Sequence, residues 1–233
     1  MNPKNPSRKV MSMWDKIIPV LPEMKLALWQ TFYMVTVSVI LGVILGTLVG
    51  TLLYLTREGS LLKLPAFNLI LNAFVNIFRS VPFLLLTIAI IPFTRLFVGT
   101  AIGTTAAIVP MTISCIPYFA RLIESTFLEV NRGVIEAAES MGANRFQLVW
   151  KVLYSEARAG IANNITIVTV SFISYSTIVG IVGGGGIGDF AIRYGYNRYE
   201  TEIMMITILI IIVIVQIVQS VGNLVVKKLD KRI

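Results

Sequence analysis

The chain has 233 residues, of which 56% are hydrophobic and 14% charged, with a formal net charge of +8 and a mean hydropathy of +0.81. Soluble domains carry about 25% charged residues because polar surface must cover the core, so this composition excludes a soluble domain, and it excludes a disordered chain equally. There is no His and a single Cys, Cys115, which removes imidazole bases, His-based triads, His or multi-Cys metal sites and intrachain disulfides.

In chain order, residues 1–25 form an N-terminal tail. Trp14, Ile17, Ile18 and Leu21 alternate there with Asp15, Lys16 and Glu23, which predicts a short interfacial helix over 11–24 broken at Pro19 and Pro22. An unstructured tail is the alternative. The tail lacks the form of a cleaved signal, because the apolar run after it is too long and no small-residue cleavage site follows. Long runs almost free of charge come next, and a crossing helix needs ~20 apolar residues. They predict five transmembrane helices over 28–55, 67–91, 106–123, 161–180 and 203–226. The runs do not alternate in polarity, which excludes a β-barrel. The fold class is therefore an all-α integral membrane protein, with a membrane domain over 26–226 and a basic tail over 227–233.

Five crossings place the termini on opposite sides. With the N-terminus outside, eleven Lys and Arg fall in the inside segments and eight in the outside ones, and three of those eight outside the tail. Basic residues favour the cytoplasm, so the N-terminus is expected outside and the C-terminus inside. The positive charge sits between apolar runs, where it faces anionic lipid rather than nucleic acid.

The long polar segment between crossings is 125–158, on the expected cytoplasmic side. Helix formers run from Ile135 to Met141 and stop at Gly142, a natural C-terminal glycine. Phe146, Val149, Trp150 and Leu153 then recur at helical spacing, predicting a second short amphipathic helix. Ala137 and Ala138 permit close packing, Glu136 offers a charged anchor, and the bend presents a knob to a cytoplasmic partner. A solvated helical hairpin is the plainer alternative.

Glu136-Ala137-Ala138, three residues, then Gly142, nine residues, and Val152 resembles the EAA loop of the membrane subunits of bacterial ABC importers. That pattern usually closes with Leu-Pro, where this chain has Tyr154-Ser155. Asn76-Ile77-Phe78-Arg79-Ser80-Val81-Pro82-Phe83 resembles the Phe-Arg-x-x-Pro segment of amino-acid importer permeases. Ile91-Pro92-Phe93-Thr94-Arg95, Val98-Gly99-Thr100, the glycine-rich 183–188 and Tyr194-Gly195-Tyr196 are similar, more narrowly, to methionine importer permeases. The resemblance runs from about Thr31 to the C-terminus. It implies a homodimer around a central path in the bacterial cytoplasmic membrane. It also implies two copies of a separate ATPase, which would hold the ATP and Mg, and a binding lipoprotein that delivers methionine or another amino acid outside. Coupling to the ATPase would fall to Glu136, Ala137, Ala138, Glu139 and Gly142. The chain itself is expected to be no enzyme and to hold no cofactor; Gly183-x-Gly185-x-x-Gly188 follows a crossing helix rather than a strand, and no phosphate-binding loop of the Gly-x4-Gly-Lys-Ser/Thr form is present.

Three further features each carry two readings. Arg79 interrupts an apolar run, and a charge at the bilayer centre costs ~2.5–3.5 kcal/mol, so it either contacts the translocation path or snorkels to an interface. Gly185, Gly186 and Gly188 form either a flexible outer loop or a place of close backbone approach where a binding protein docks. Thr169, Ser171, Ser174, Tyr175, Ser176 and Thr177 fill the fourth crossing with hydroxyls, which either bond back to the helix or line a solute path, with Ile178 and Val179 beside them; Ser174, Tyr175, Ser176, Ile178 and, from the second crossing, Arg79 are the candidates for that path. Met24, Met34, Met111, Met204 and Met205 are expected to be core filler.

Overall fold

In hydrocarbon every backbone N–H and C=O must be satisfied within the protein, which leaves helices as the way to bury charge-free runs. The computed structural model describes residues 13–230, and among these there are helices and turns but no strand. Met11 and the cations Lys4, Arg8, Lys9, Lys231 and Arg232 lie outside the described residues. Four helical segments are long and apolar enough to cross a membrane: Lys16–Thr56, Thr104–Leu128, Arg145–Gly184 and Thr201–Leu229. A fifth candidate is the pair Pro65–Ser80 and Phe83–Ala89, which passes the same test only when its two bent helices are taken together.

Helix α1 (Met13–Thr56) is continuous over 44 residues and contains Pro19 and Pro22. The expected break at those prolines does not occur. Proline removes one N–H and crowds one carbonyl, but Ile17, Met24 and Ala27 of this turn are buried. Met24 and Ala27 share a cluster with Ile187, Phe190, Tyr194 and Ile203, and that packing holds the helix together.

The expected single span over 67–91 is two helices, α2 (Pro65–Ser80) and α3 (Phe83–Ala89), bent by 101°. Val81 is extended (φ −79°, ψ 124°), as steric clash with the Pro82 ring requires of the residue before a proline. A short helix α4 (Ile91–Val98) ends on Gly99 in the left-handed conformation.

Helix α5 (Thr104–Leu128) packs along α1 through a stripe of small residues. A Cβ on Gly46 would stand 2.9 Å from the Ile116 carbonyl, and one on Gly50 would stand 2.8 Å from Ile123 Cβ. Gly42 meets Cys115 in the same way. Small residues let helix backbones approach where lipid supplies no hydrophobic drive of its own. The core beside this seam holds Met34, Met111, Cys115, Phe119, Ile123, Phe127 and Phe172, all fully buried. Met34 and Met111 are thus core residues as expected, and Met24 packs in the second cluster, whereas Met204 is half-buried and Met205 is exposed rather than in the core.

After α6 (Arg132–Ser140) and α7 (Arg145–Gln147), a π-helical stretch Leu148–Leu153 runs directly into α8 (Tyr154–Val179). The expected separate second helix is therefore the first turns of the fourth crossing. Tyr154, standing where Leu-Pro would end a helix, instead carries it onward: its ring lies 5.1 Å from Phe127 and its hydroxyl 2.6 Å from Thr51 Oγ1. A kinked segment (Gly180–Gly184), non-helical at Val182 and Gly183, then helix α9 (Gly186–Phe190) and a second π-helical stretch (Ala191–Tyr196) lead to α10 (Thr201–Leu229).

Candidate functional site

Contacts place the C-terminal ends of α1, α5 and α10 beside the start of α8. Tyr54 and Tyr154 both pack on Phe127, and Arg158 Nε donates to the Leu229 carbonyl. At this end, called the α6 end here, the chain between α5 and α8 stands out from the bundle. Asn131 caps α6 by accepting from the Gly133 N–H, 2.8 Å away. Asn144 and Gln147 form a reciprocal capping box at α7. Such caps satisfy the N–H groups a helix start leaves free. Between them Gly142 adopts φ +83° with nothing within 4 Å of where a Cβ would be.

Of the expected coupling residues, Glu136, Ala137 and Glu139 are exposed and Gly142 forms the exposed bend, while Ala138 is buried at 7% exposure. Ala138 thus packs inward, its carbonyl accepting from the Ala143 N–H at 3.1 Å. Around them Met141 (82% exposed), Phe146 (71%) and Trp150 (54%) lie open. The segment from Arg145 to Gly184 has 40 residues, and its helix α8 alone, Tyr154–Val179, has 26, about 39 Å at 1.5 Å per residue, already longer than the ~30 Å of hydrocarbon. Its first turns also carry Arg145, Lys151, Glu156 and Arg158, so lipid tails do not cover Phe146 and Trp150. Contiguous apolar surface rimmed by charge marks an interaction site.

At the opposite end, the glycines are neither a flexible loop nor open surface. Gly186 N–H donates to Gln30 Oε1 at 2.9 Å and Ile187 N–H to Thr31 Oγ1 at 2.8 Å. Gly185 and Gly186 have φ +74° and +84°, and Gly186 packs against Met34 and Thr31 while Gly188 packs on Thr177. Beyond them Arg193 pairs with Asp189 and Glu23. The Tyr194 phenol hydrogen-bonds Glu23, and the neighbouring carboxylate holds it above the ordinary phenol range.

The hydroxyls of α8 divide. Thr169, Ser171, Ser176 and Thr177 donate to carbonyls of their own helix, and Ser176 is also buried within the protomer. Ser174 is exposed on the opposite face, and Tyr175 and Ile178 are half-buried. Tyr175 stacks on Phe83 at 4.6 Å and 11°, so the residue just past the Pro82 break meets the fourth crossing. Arg79, one turn before the break, is exposed.

Sequence reasoning missed a polar network. Asn68, Asn72 and Asn76 lie four residues apart on one face of α2. Asn68 Nδ2 donates to the Leu53 carbonyl and Thr56 Oγ1, and Asn72 Nδ2 to Asn68 Oδ1. Arg121 of α5 donates to Asn72 and Asn76, each at 2.9 Å, and pairs with Glu124. Glu124 is 5% exposed; it lies one residue past the expected span over 106–123, because α5 continues to Leu128. The i, i+4, i+8 asparagines were the available signal. Among the described residues no group of three or more His, Cys, Asp or Glu comes together as a metal site.

Long apolar helices around one broken span, with a capped helical turn projecting from one end, make a membrane-embedded subunit, and its likeness to known proteins makes it a transport subunit. The chain belongs to the family described as binding-protein-dependent transport system inner membrane component, whose profile matches residues 38–233. It is 53% identical over 206 residues to the probable D-methionine transport system permease protein MetI of Vibrio cholerae, covering 88% of this chain and 92% of that one. It is 40% identical over 222 residues to the methionine import system permease protein MetP of Bacillus subtilis, covering 94% and 100%. A chain of the structure described as inward facing conformations of the MetNI methionine ABC transporter superimposes with a TM-score of 0.89 at 39% identity, covering 91% and 99%. A chain of an amino acid ABC transporter with histidines shares the fold at a TM-score of 0.77 and 20% identity, covering 91% and 97%.

Proposed function

We propose that this chain is the membrane-spanning subunit of an ATP-driven importer of methionine in the bacterial cytoplasmic membrane. It works as a homodimer with two copies of a separate ATPase and a methionine-binding lipoprotein outside. The observation that carries the reading is the agreement in sequence and fold, along nearly the whole chain, with proteins named methionine permeases. Import of another amino acid is the nearest alternative, since side chains of the path set the substrate and the fold does not.

The α6 end faces the cytoplasm in this reading. Glu136, Ala137, Glu139 and the Gly142 bend enter a groove of the ATPase, and Met141, Phe146 and Trp150 become covered there. Ala138 braces the turn from within. Closure of the two ATPases moves the paired turns together, and because the π-helical stretch is continuous with α8, the displacement reaches Tyr175 and, through its stacking on Phe83, the broken span. Bistable packing of this kind turns a local shift into a global one. The exposed face of α8 with Ser174 lines the path, with Tyr175, Ile178 and Arg79 toward it; Ser176 supports that face from the core. Gly185, Gly186 and Gly188 set the shape of the outer face by close packing, and the binding lipoprotein docks over it.

Uptake of labelled methionine by proteoliposomes holding this chain, its ATPase and the binding protein tests the whole reading; uptake without ATP, or uptake of other amino acids in preference, overturns it. Glu136→Lys and Ala137→Trp are expected to release the ATPase or uncouple hydrolysis from uptake while the membrane fold stays intact. Ser174→Trp is expected to block uptake with the ATPase still bound. For orientation, a membrane-impermeant thiol reagent added outside should modify Asn197→Cys and spare Asn144→Cys; the reverse pattern sinks the coupling role.

A further inference from the structure

Behind the projecting turn lies a cavity of about 720 Å³. One wall is the turn between α1 and α2, with Arg57, Glu58, Ser60 and Lys63. The facing wall is α6 and the start of α7, with Arg132, Glu136, Glu139 and Arg145. Tyr54, Leu128 and Val130 also line it. Three backbone hydrogen bonds close the α1–α2 turn: Ser60, Leu62 and Leu64 N–H groups donate to the Arg57, Leu55 and Thr56 carbonyls at 3.0–3.2 Å. Lys63 is held at φ +48°, a conformation that costs a side-chain-bearing residue energy and persists only where surrounding structure imposes it.

Seven charged side chains therefore line one cavity, four cationic and three anionic, yet no ion pair joins any two of them. A phosphate or an anionic lipid headgroup would satisfy the cations and be repelled by the three carboxylates; a zwitterionic headgroup is the remaining lipid occupant, and the crosslinking below tells it from protein. A surface bearing both signs satisfies both sets, and the carboxylates Glu136 and Glu139 are shared with the coupling turn. We infer that this cavity is a two-walled slot for the same ATPase, gripping a mixed-charge segment of it between the coupling turn and the α1–α2 turn. The inference rests on the coupling reading above and adds a second contact to it.

The two walls lead to different helices. The coupling turn passes into α8. The α1–α2 turn passes through Lys63 and Leu64 into α2, which Arg121 ties to α5. A partner segment seated in the slot thus moves α2, and with it α3 across the Pro82 break, together with α8; α3 and α8 meet where Phe83 stacks on Tyr175. A contact through α6 alone would move α8 and leave α2 to follow passively.

The test uses the assembled complex of this chain with its ATPase in detergent. Ser60→Cys, Ser140→Cys and Asn197→Cys are treated separately with a short maleimide–succinimidyl crosslinker; Cys115 is fully buried and stays in place. Ser60→Cys and Ser140→Cys are expected to join the ATPase, and Asn197→Cys is not. In parallel, the Arg57→Glu/Lys63→Glu double variant is expected to retain the ATPase about tenfold less well in a salt series, since reversed charges in a complementary interface act on dissociation. If Ser140→Cys crosslinks and Ser60→Cys does not, with the double variant binding as the parent does, the slot is overturned and the coupling turn stands. If neither position crosslinks, both fall. If Ser60→Cys links to a lipid amine or a second copy of this chain instead, the slot has a different occupant and the inference is overturned.

Discussion

Two glycines with nearly the same positive φ show how differently the two ends of the molecule are built. Gly142 and Gly186 have φ +83° and +84°. Around Gly142 there is open space, and the residues beside it, Met141 and Phe146, are exposed. Gly186 is packed against Met34 and Thr31, and its N–H is bonded to Gln30. The first glycine needs only freedom of backbone, while the second needs that and the absence of a side chain. The α9 end is therefore finished within the protomer, and the α6 end is left for a partner to finish.

The largest expected effect separates them directly. Gly186→Leu meets both overpacking, ~1–3 kcal/mol, and left-handed strain, ~1–2 kcal/mol. It should lower the detergent melting temperature far more than Gly142→Leu, which meets the strain alone; equal shifts would erase the contrast. Next, Gly142→Ala should weaken the bend by about 1–2 kcal/mol and Gly142→Asn by less, because Asn tolerates this conformation. The readout is protease accessibility of the 132–150 segment, with the global melting temperature unchanged. Asn144→Ala removes half of the capping box and should cost about 1 kcal/mol in the same local assay; a loss of global stability instead would mean the turn is part of the core. The smallest effect on stability is expected for Met141→Ser with Phe146→Ser, within about 0.5 kcal/mol as for exposed positions. Retention of the ATPase should nonetheless fall, and unchanged retention would show that this apolar surface has another use.

Much of the α6 end was legible locally. The Gly142 bend, the helix ahead of it and the exposure of Glu136 follow from propensity and a glycine stop, which act over a few residues. The start of α8 was not, because Leu-Pro is absent and a π-helical stretch joins what periodicity divides; only the docking of Tyr154 on Phe127 and Thr51 decides that. The α9 end left two readings open, a flexible loop and a close backbone approach, and the structure shows the second. A run of glycines reads as a loose loop when nothing shows what lies beside it, and Gln30 and Thr31, 156 residues away in sequence, are what make it tight.

By itself, the amino-acid sequence determined that the chain is a helical membrane protein, where its apolar runs lie and where the projecting turn bends, since hydrophobicity, proline and glycine act through solvation and local backbone sterics. Tertiary structure alone decided that α1 survives Pro19 and Pro22, that the second crossing folds back by 101° at Pro82, that Ser176 faces the core while Ser174 does not, and that Arg121 finds Glu124 and two asparagines. Each of these depends on which distant surface happens to cover a residue. In a chain whose lipid-facing and protein-facing sides are almost equally apolar, composition carries little of that information, and close approach between backbones carries most of it.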